Sequence, residues 1–132
     1  MAQFYTLVRA FNTPTDYSSV PAQGYGLAVK LDSSGTTTGT ARRVVTCGAG
    51  QASLGAIINH PAAGQTAEVL QQGITRVVAG AAFSINAELA SDSAGKYVAA
   101  ASGDRIIAVA NESASGADVM AEVELVRGSI KP

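Results

Sequence analysis

Residues Val119-Met120-Ala121-Glu122-Val123-Glu124-Leu125-Val126 alternate along their whole length. Val119, Ala121, Val123 and Leu125 fall on one side, and Met120, Glu122, Glu124 and Val126 on the other. Successive strand side chains point to opposite faces. The octet therefore predicts a strand with one face on a core and the other toward solvent or a partner. Outward from it, the same short apolar runs recur between Gly, Asn, Asp and Ser clusters, rich in Val, Ile and Tyr. They place further strands at Leu27–Leu31, Arg43–Cys47, Leu54–Asn59, Ala67–Leu70, Ile74–Val78, Lys96–Ala99 and Arg105–Ala110. Asp92-Ser93-Ala94-Gly95 reads as a turn, with Gly95 free to take a positive φ. The expected class is all-β: a small sandwich or barrel of about eight short strands. One short helix at most is expected, over Ala79–Ala90, where Gly80 and the Ser and Asn content weaken it.

Two stretches differ from this pattern. Residues 1–25 are irregular and punctuated by Pro14 and Pro21, with Phe4, Tyr5, Phe11, Tyr17 and Tyr25. They read as an extended N-terminal arm ahead of a β-rich domain over 26–132. Residues 32–41 are a polar Gly/Thr/Ser tract, either an exposed hairpin loop or a disordered link. An internal echo also runs through the chain. Leu54–Asn59, Ala62-Ala63-Gly64 and Ala67-Glu68-Val69 parallel Ile106–Asn111, Ala114-Ser115-Gly116 and Ala121-Glu122-Val123, with two more residues after the second Gly. This reads as one strand–turn–strand unit used twice, or as chance in an Ala/Gly-rich chain.

The 132 residues fit one domain. Trp is absent and only three Phe and four Tyr are present. A core built largely on Ala is lean, because a fully buried large side chain contributes about 1.5–3 kcal/mol and Ala far less. Self-association is the expected remedy. Charged residues make up 14%, against roughly 25% in an ordinary domain. With a net charge of −1 and Arg42-Arg43 as the only basic cluster, read as a solvated strand end, a nucleic-acid partner is not expected. The single Cys47 excludes an intrachain disulfide and reads as a small buried hydrophobe. Neither a signal peptide nor a run of roughly 20 apolar residues is evident. The expectation is a soluble protein made in a cytoplasm, without a membrane partner.

No residue set for catalysis, metal or cofactor binding assembles. His60, the only histidine, precedes Pro61 in a turn, and no G-x-S-x-G elbow accompanies it. One His and one Cys do not make a closed zinc site. Asp92, Asp104, Glu112 and Asp118 sit at separate turns and read as backbone caps. Gly48-Ala-Gly50-Gln-Ala-Ser53 superficially resembles a dinucleotide loop. Ser53 replaces its third glycine, however, and a strand-like run follows in place of a helix N-terminus. A tight hairpin turn is the better account.

The segment from Leu54 to Leu125 resembles the capsid decoration, or cement, proteins of tailed bacteriophages. The pattern is Leu54-Gly55-Ala56-Ile57, Ala62-Ala63-Gly64-Gln65, Gln72-Gly73-Ile74-Thr75-Arg76-Val77, Leu89-Ala90-Ser91-Asp92, Gly95-Lys96-Tyr97-Val98-Ala99 and Arg105–Ala110. Gly116 and Val119–Leu125 complete it. Order and spacing carry the match; Ala87 stands where such sequences often have glycine. The resemblance implies a β-rich subunit, often a trimer, on the outer capsid surface. There it would bind the major capsid protein and stabilise the mature head, with no enzyme activity and no cofactor. The aromatic arm suits docking on a capsid subunit or a neighbouring copy, through Phe4, Tyr5, Leu7, Phe11 and Tyr17 as anchors. Packing of these residues on their own domain is the alternative. Other expectations are a different virion subunit (fibre, tail or head-completion protein) and, more remotely, a small ligand-binding module or enzyme using His60 or the Gly48 loop.

Overall fold

The computed structural model describes residues 7–12, 26–32, 37–38, 41–59, 61 and 65–132. Their elements are all strands: β1 (Leu7–Asn12), β2 (Ala28–Leu31), β3 (Thr37–Thr38), β4 (Ala41–Arg42), β5 (Val44–Thr46), β6 (Gly55–Ile57), β7 (Thr66–Val78), β8 (Glu88–Ser91), β9 (Tyr97–Ala99), β10 (Ala108–Ala110) and β11 (Met120–Leu125). A curled antiparallel sheet runs in the order β5-β2-β6-β7-β11-β10-β8-β9 and forms a half-barrel. The all-β expectation holds.

β7 organises the molecule. The sequence splits it at Gly73 into two strands, but the chain keeps it continuous over 13 residues. Its first half pairs with β1 and β6, and its second half with β11. The exchange falls at Gly73, since Gln72 is opposite Leu7 and Gly73 opposite Leu125. Two successive partners therefore keep one long strand hydrogen-bonded along its length.

Neighbouring residues of β2, β6 and β7 serve two cores. Ala28, Ala56 and Leu70 join Leu89, Tyr97, Val123 and others in the larger cluster. Val29, Ile57 and Val69 join Phe11, Leu27, Val44 and Val78 in a second. Both faces are buried where Ala28-Val29, Ala56-Ile57 and Val69-Leu70 lie side by side, and each of these pairs is apolar at both positions. β11 follows its alternation: Ala121, Val123 and Leu125 are buried, while Glu122 and Glu124 are exposed.

The short helix admitted over Ala79–Ala90 does not form. Tertiary pairing takes its backbone groups instead. Ala79 bridges to Tyr97, and the Gly80 amide donates to the Tyr97 carbonyl at 2.8 Å. Phe83 and Ala114 exchange bonds of 3.1 and 3.0 Å. Asn86 adopts a left-handed φ of 69°, a conformation Asn tolerates well. The turn before Leu89 thus places its left-handed residue at Asn86, and Ala87 has no need to be glycine.

Both echoed segments form antiparallel hairpins. Ala56 pairs with Leu70 and Ile57 with Val69; Ala108 pairs with Leu125 and Ala110 with Val123. The registers differ. The residue equivalent to Ala56 is Ala108, but the residue equivalent to Leu70 is Glu124, one short of the observed partner. The two units share a topology without sharing a strict register. In the polar tract, Thr37 pairs with Arg42 and Thr38 with Ala41 as a small separate hairpin.

Candidate interaction surface

Of the five residues expected at a subunit contact, Phe4, Tyr5 and Tyr17 lie outside the described residues. Leu7 opens β1. Phe11 is 3% exposed and packs in the protein's own second core beside Val29, Ile57 and Val69. Part of the segment expected as an arm is thus a sheet strand, and its described aromatic serves the domain itself.

The outward face of β7, β11, β10 and β8 is a regular one. Cross-strand pairing sets one row as Ile74, Glu124, Val109 and Glu88, and a second contains Arg76 and Glu122. Arg76 pairs with Glu112 at 3.2 Å and also donates to the Met120 carbonyl. Lys131 pairs with Glu88 at 2.8 Å. Exposed pairs of this kind contribute about 0–1 kcal/mol each, so they do little more than order the face. The exposed large apolar residues among those described, Leu31, Ile74, Ile85 and Ile130, lie on separate segments, and apolar residues exposed singly are ordinary.

Three of the four turn carboxylates act on the backbone, and the fourth, Asp118, does not cap it as expected. Asp92 accepts from the amides of Ala94 and Lys96 at 2.8 and 2.9 Å. Asp104 accepts from Ala101 at 2.9 Å, and Glu112 from Glu122 at 2.8 Å. Asp118 pairs with Lys96 at 2.6 Å, and this bond holds the ammonium above its ordinary pKa. No three of the described His, Cys, Asp and Glu side chains converge as metal ligands.

The Gly48 loop is a structural turn but not the hairpin expected, because β5 and β6 flank β2 and do not pair with each other. Its Gln51 amide donates to Gly48, and the Gly50 amide and carbonyl bond to Ser91 and Arg105. Strand β6 follows it. The Cys47 thiol, fully enclosed, faces the loop carbonyls of Gly48, Gln51 and Ala52 at 3.5–3.6 Å. Burial pushes this thiol up, away from the thiolate that nucleophilic chemistry requires. His60 lies outside the described residues.

The sequence reading missed one concavity. A cleft of about 300 Å³ opens between Ala52-Ser53 and the paired segments Arg105–Ile107 and Val126–Gly128. Arg105 and Arg127 are far apart in the chain, so composition does not reveal that they share it. The weak signal available was a second Arg placed immediately beyond the alternating octet.

No family model matches the sequence, and no curated protein matches it. Among solved structures, the chain is similar to the N base of head fiber gp8.5 of bacteriophage phi29, with a TM-score of 0.71 and 9% identity. The match covers 97% of this chain and 100% of that one. The likeness is one of fold.

Proposed function

We propose that this chain is a structural subunit of a tailed-bacteriophage virion that seats on the outside of the head, with no catalytic role and no cofactor. The observation that carries the reading is the end-to-end likeness of its fold to a head-fibre base. The independent resemblance of Leu54–Leu125 to decoration proteins points the same way. In the decoration form, copies bind the major capsid protein on the mature lattice and bridge its subunits. A protein that binds only that state adds its binding free energy to it. The partners are then the major capsid protein and further copies of this chain, a trimer being the favoured assembly. Synthesis is in the host cytoplasm, and neither nucleic acid nor membrane is engaged.

A second reading has its own support. The structural neighbour is a fibre base, so this chain serves equally well as the seat of a head fibre. Purified protein added to undecorated heads is expected to bind and to raise the temperature at which they rupture. Negative-stain imaging of tagged copies then separates dense coverage, the decoration outcome, from sparse projections, the fibre outcome. Absence of binding to the heads would sink both.

A further inference from the structure

Arg105 and Arg127 line the cleft over an apolar floor that includes Ile106, Ile107 and Val126. Neither guanidinium has an ion pair or side-chain hydrogen bond among the described residues. The pairing explains how they come together. The Val126 amide bonds to the Ile107 carbonyl, but Ile106 accepts from the Gly128 amide and donates to the Ser129 carbonyl. Gly128 and Ser129 thus both face Ile106, a bulge that directly follows Arg127. Bulges re-aim side chains and recur beside functional sites.

The same chain carries a matching feature. Glu124 projects from the outward face of β11 with Ile74 and Val109 as its cross-strand neighbours. Ile74 is 39% exposed, and the Glu124 carboxylate has no partner among the described residues. An unpaired carboxylate beside an exposed isoleucine complements two unpaired guanidinium groups over an apolar floor, in charge and in polarity. We propose that the Arg105–Arg127 cleft receives the Glu124 carboxylate of a second copy, with that copy's Ile74 covering the apolar floor. This deepens the self-association contained in the functional reading and requires nothing of the capsid.

Sedimentation over a range of concentrations tests the contact. Wild type is expected to associate, more weakly as salt rises. Glu124→Arg, and the double change Arg105→Glu with Arg127→Glu, are each expected to raise the dissociation constant at least tenfold while the circular dichroism stays unchanged. Combining all three changes reverses both sides of the contact and is expected to restore association. A wild type that stays monomeric at every concentration, or charge-reversed variants that associate as wild type does, would overturn the proposal. Head binding is measured on the same proteins. Its absence in an associating wild type would overturn the functional reading and leave the contact standing.

Discussion

Tyr97 shows most clearly what burial does to a single residue. Its ring is fully enclosed, and its hydroxyl has no hydrogen-bond partner among the described residues. Burial pushes the phenol well above its ordinary 10.0, with Cys47 adding to the rise. In the folded state Tyr97 therefore keeps its proton at pH values where the unfolded chain has lost it. Its contribution is complete below about pH 10 and falls above, by about 1.4 kcal/mol per pH unit for one proton. Stability followed by denaturant titration is expected to drop between pH 10 and 11, and Tyr97→Phe is expected to flatten this slope. Below pH 9 the same substitution removes an unsatisfied hydroxyl and is expected to change stability by less than about 1 kcal/mol. Phe11 gives the opposite expectation. Truncation to Ala leaves a cavity in the second core and is expected to cost about 3–5 kcal/mol; an unchanged melting curve would show that Phe11 does not pack there. Gly95 and Gly103 form a matched pair, at φ 77° and 92°. A Cβ at Gly95 would sit 2.8 Å from Thr46 Cγ2 and 2.9 Å from the Ala28 carbonyl, while one at Gly103 meets nothing within 4 Å. Gly103→Ala is expected to cost about 1–2 kcal/mol from backbone strain, and Gly95→Ala measurably more.

Among the elements, the two echoed hairpins differ in how their asparagines work. Asn59 clamps its turn, donating to the Thr66 carbonyl and accepting from the Glu68 amide, both at 3.1 Å. Asn111 reaches only the Glu122 carboxylate, at 3.4 Å. Asn59→Ala is expected to cost about 1 kcal/mol and to speed hydrogen exchange at the Glu68 amide. Asn111→Ala is expected to change stability by a few tenths of a kcal/mol at most, as is usual for surface changes. β7 and β8 mark where element reading failed. Gly73 reads as a break because glycine weakens an isolated strand, yet β1 up to Gln72 and β11 from Gly73 onward pair β7 without a gap. Glu88–Ser91 carries no alternation to read, because three of its four residues are buried.

On the scale of the whole molecule, the half-barrel unites two clusters with few large aromatics, and the larger of them is rich in Ala. Such a domain gains from anything that binds its folded form. If self-association supplies part of that stability, the melting temperature is expected to rise with protein concentration; a concentration-independent value would indicate a self-sufficient monomer.

The sequence alone determined the all-β class, the faces of β11, the Asp92–Gly95 turn, the local capping by Asp92 and Asp104 and the burial of Cys47. Each of these depends on side-chain alternation or on turn chemistry within a few residues. Tertiary structure alone decided the continuity of β7, the place of β1 in the sheet, the non-helical path of Ala79–Ala90 and the meeting of Arg105 with Arg127. These depend on which distant strand supplies the hydrogen-bond partner, and a pairing across the sheet leaves no periodic mark on either of the segments it joins.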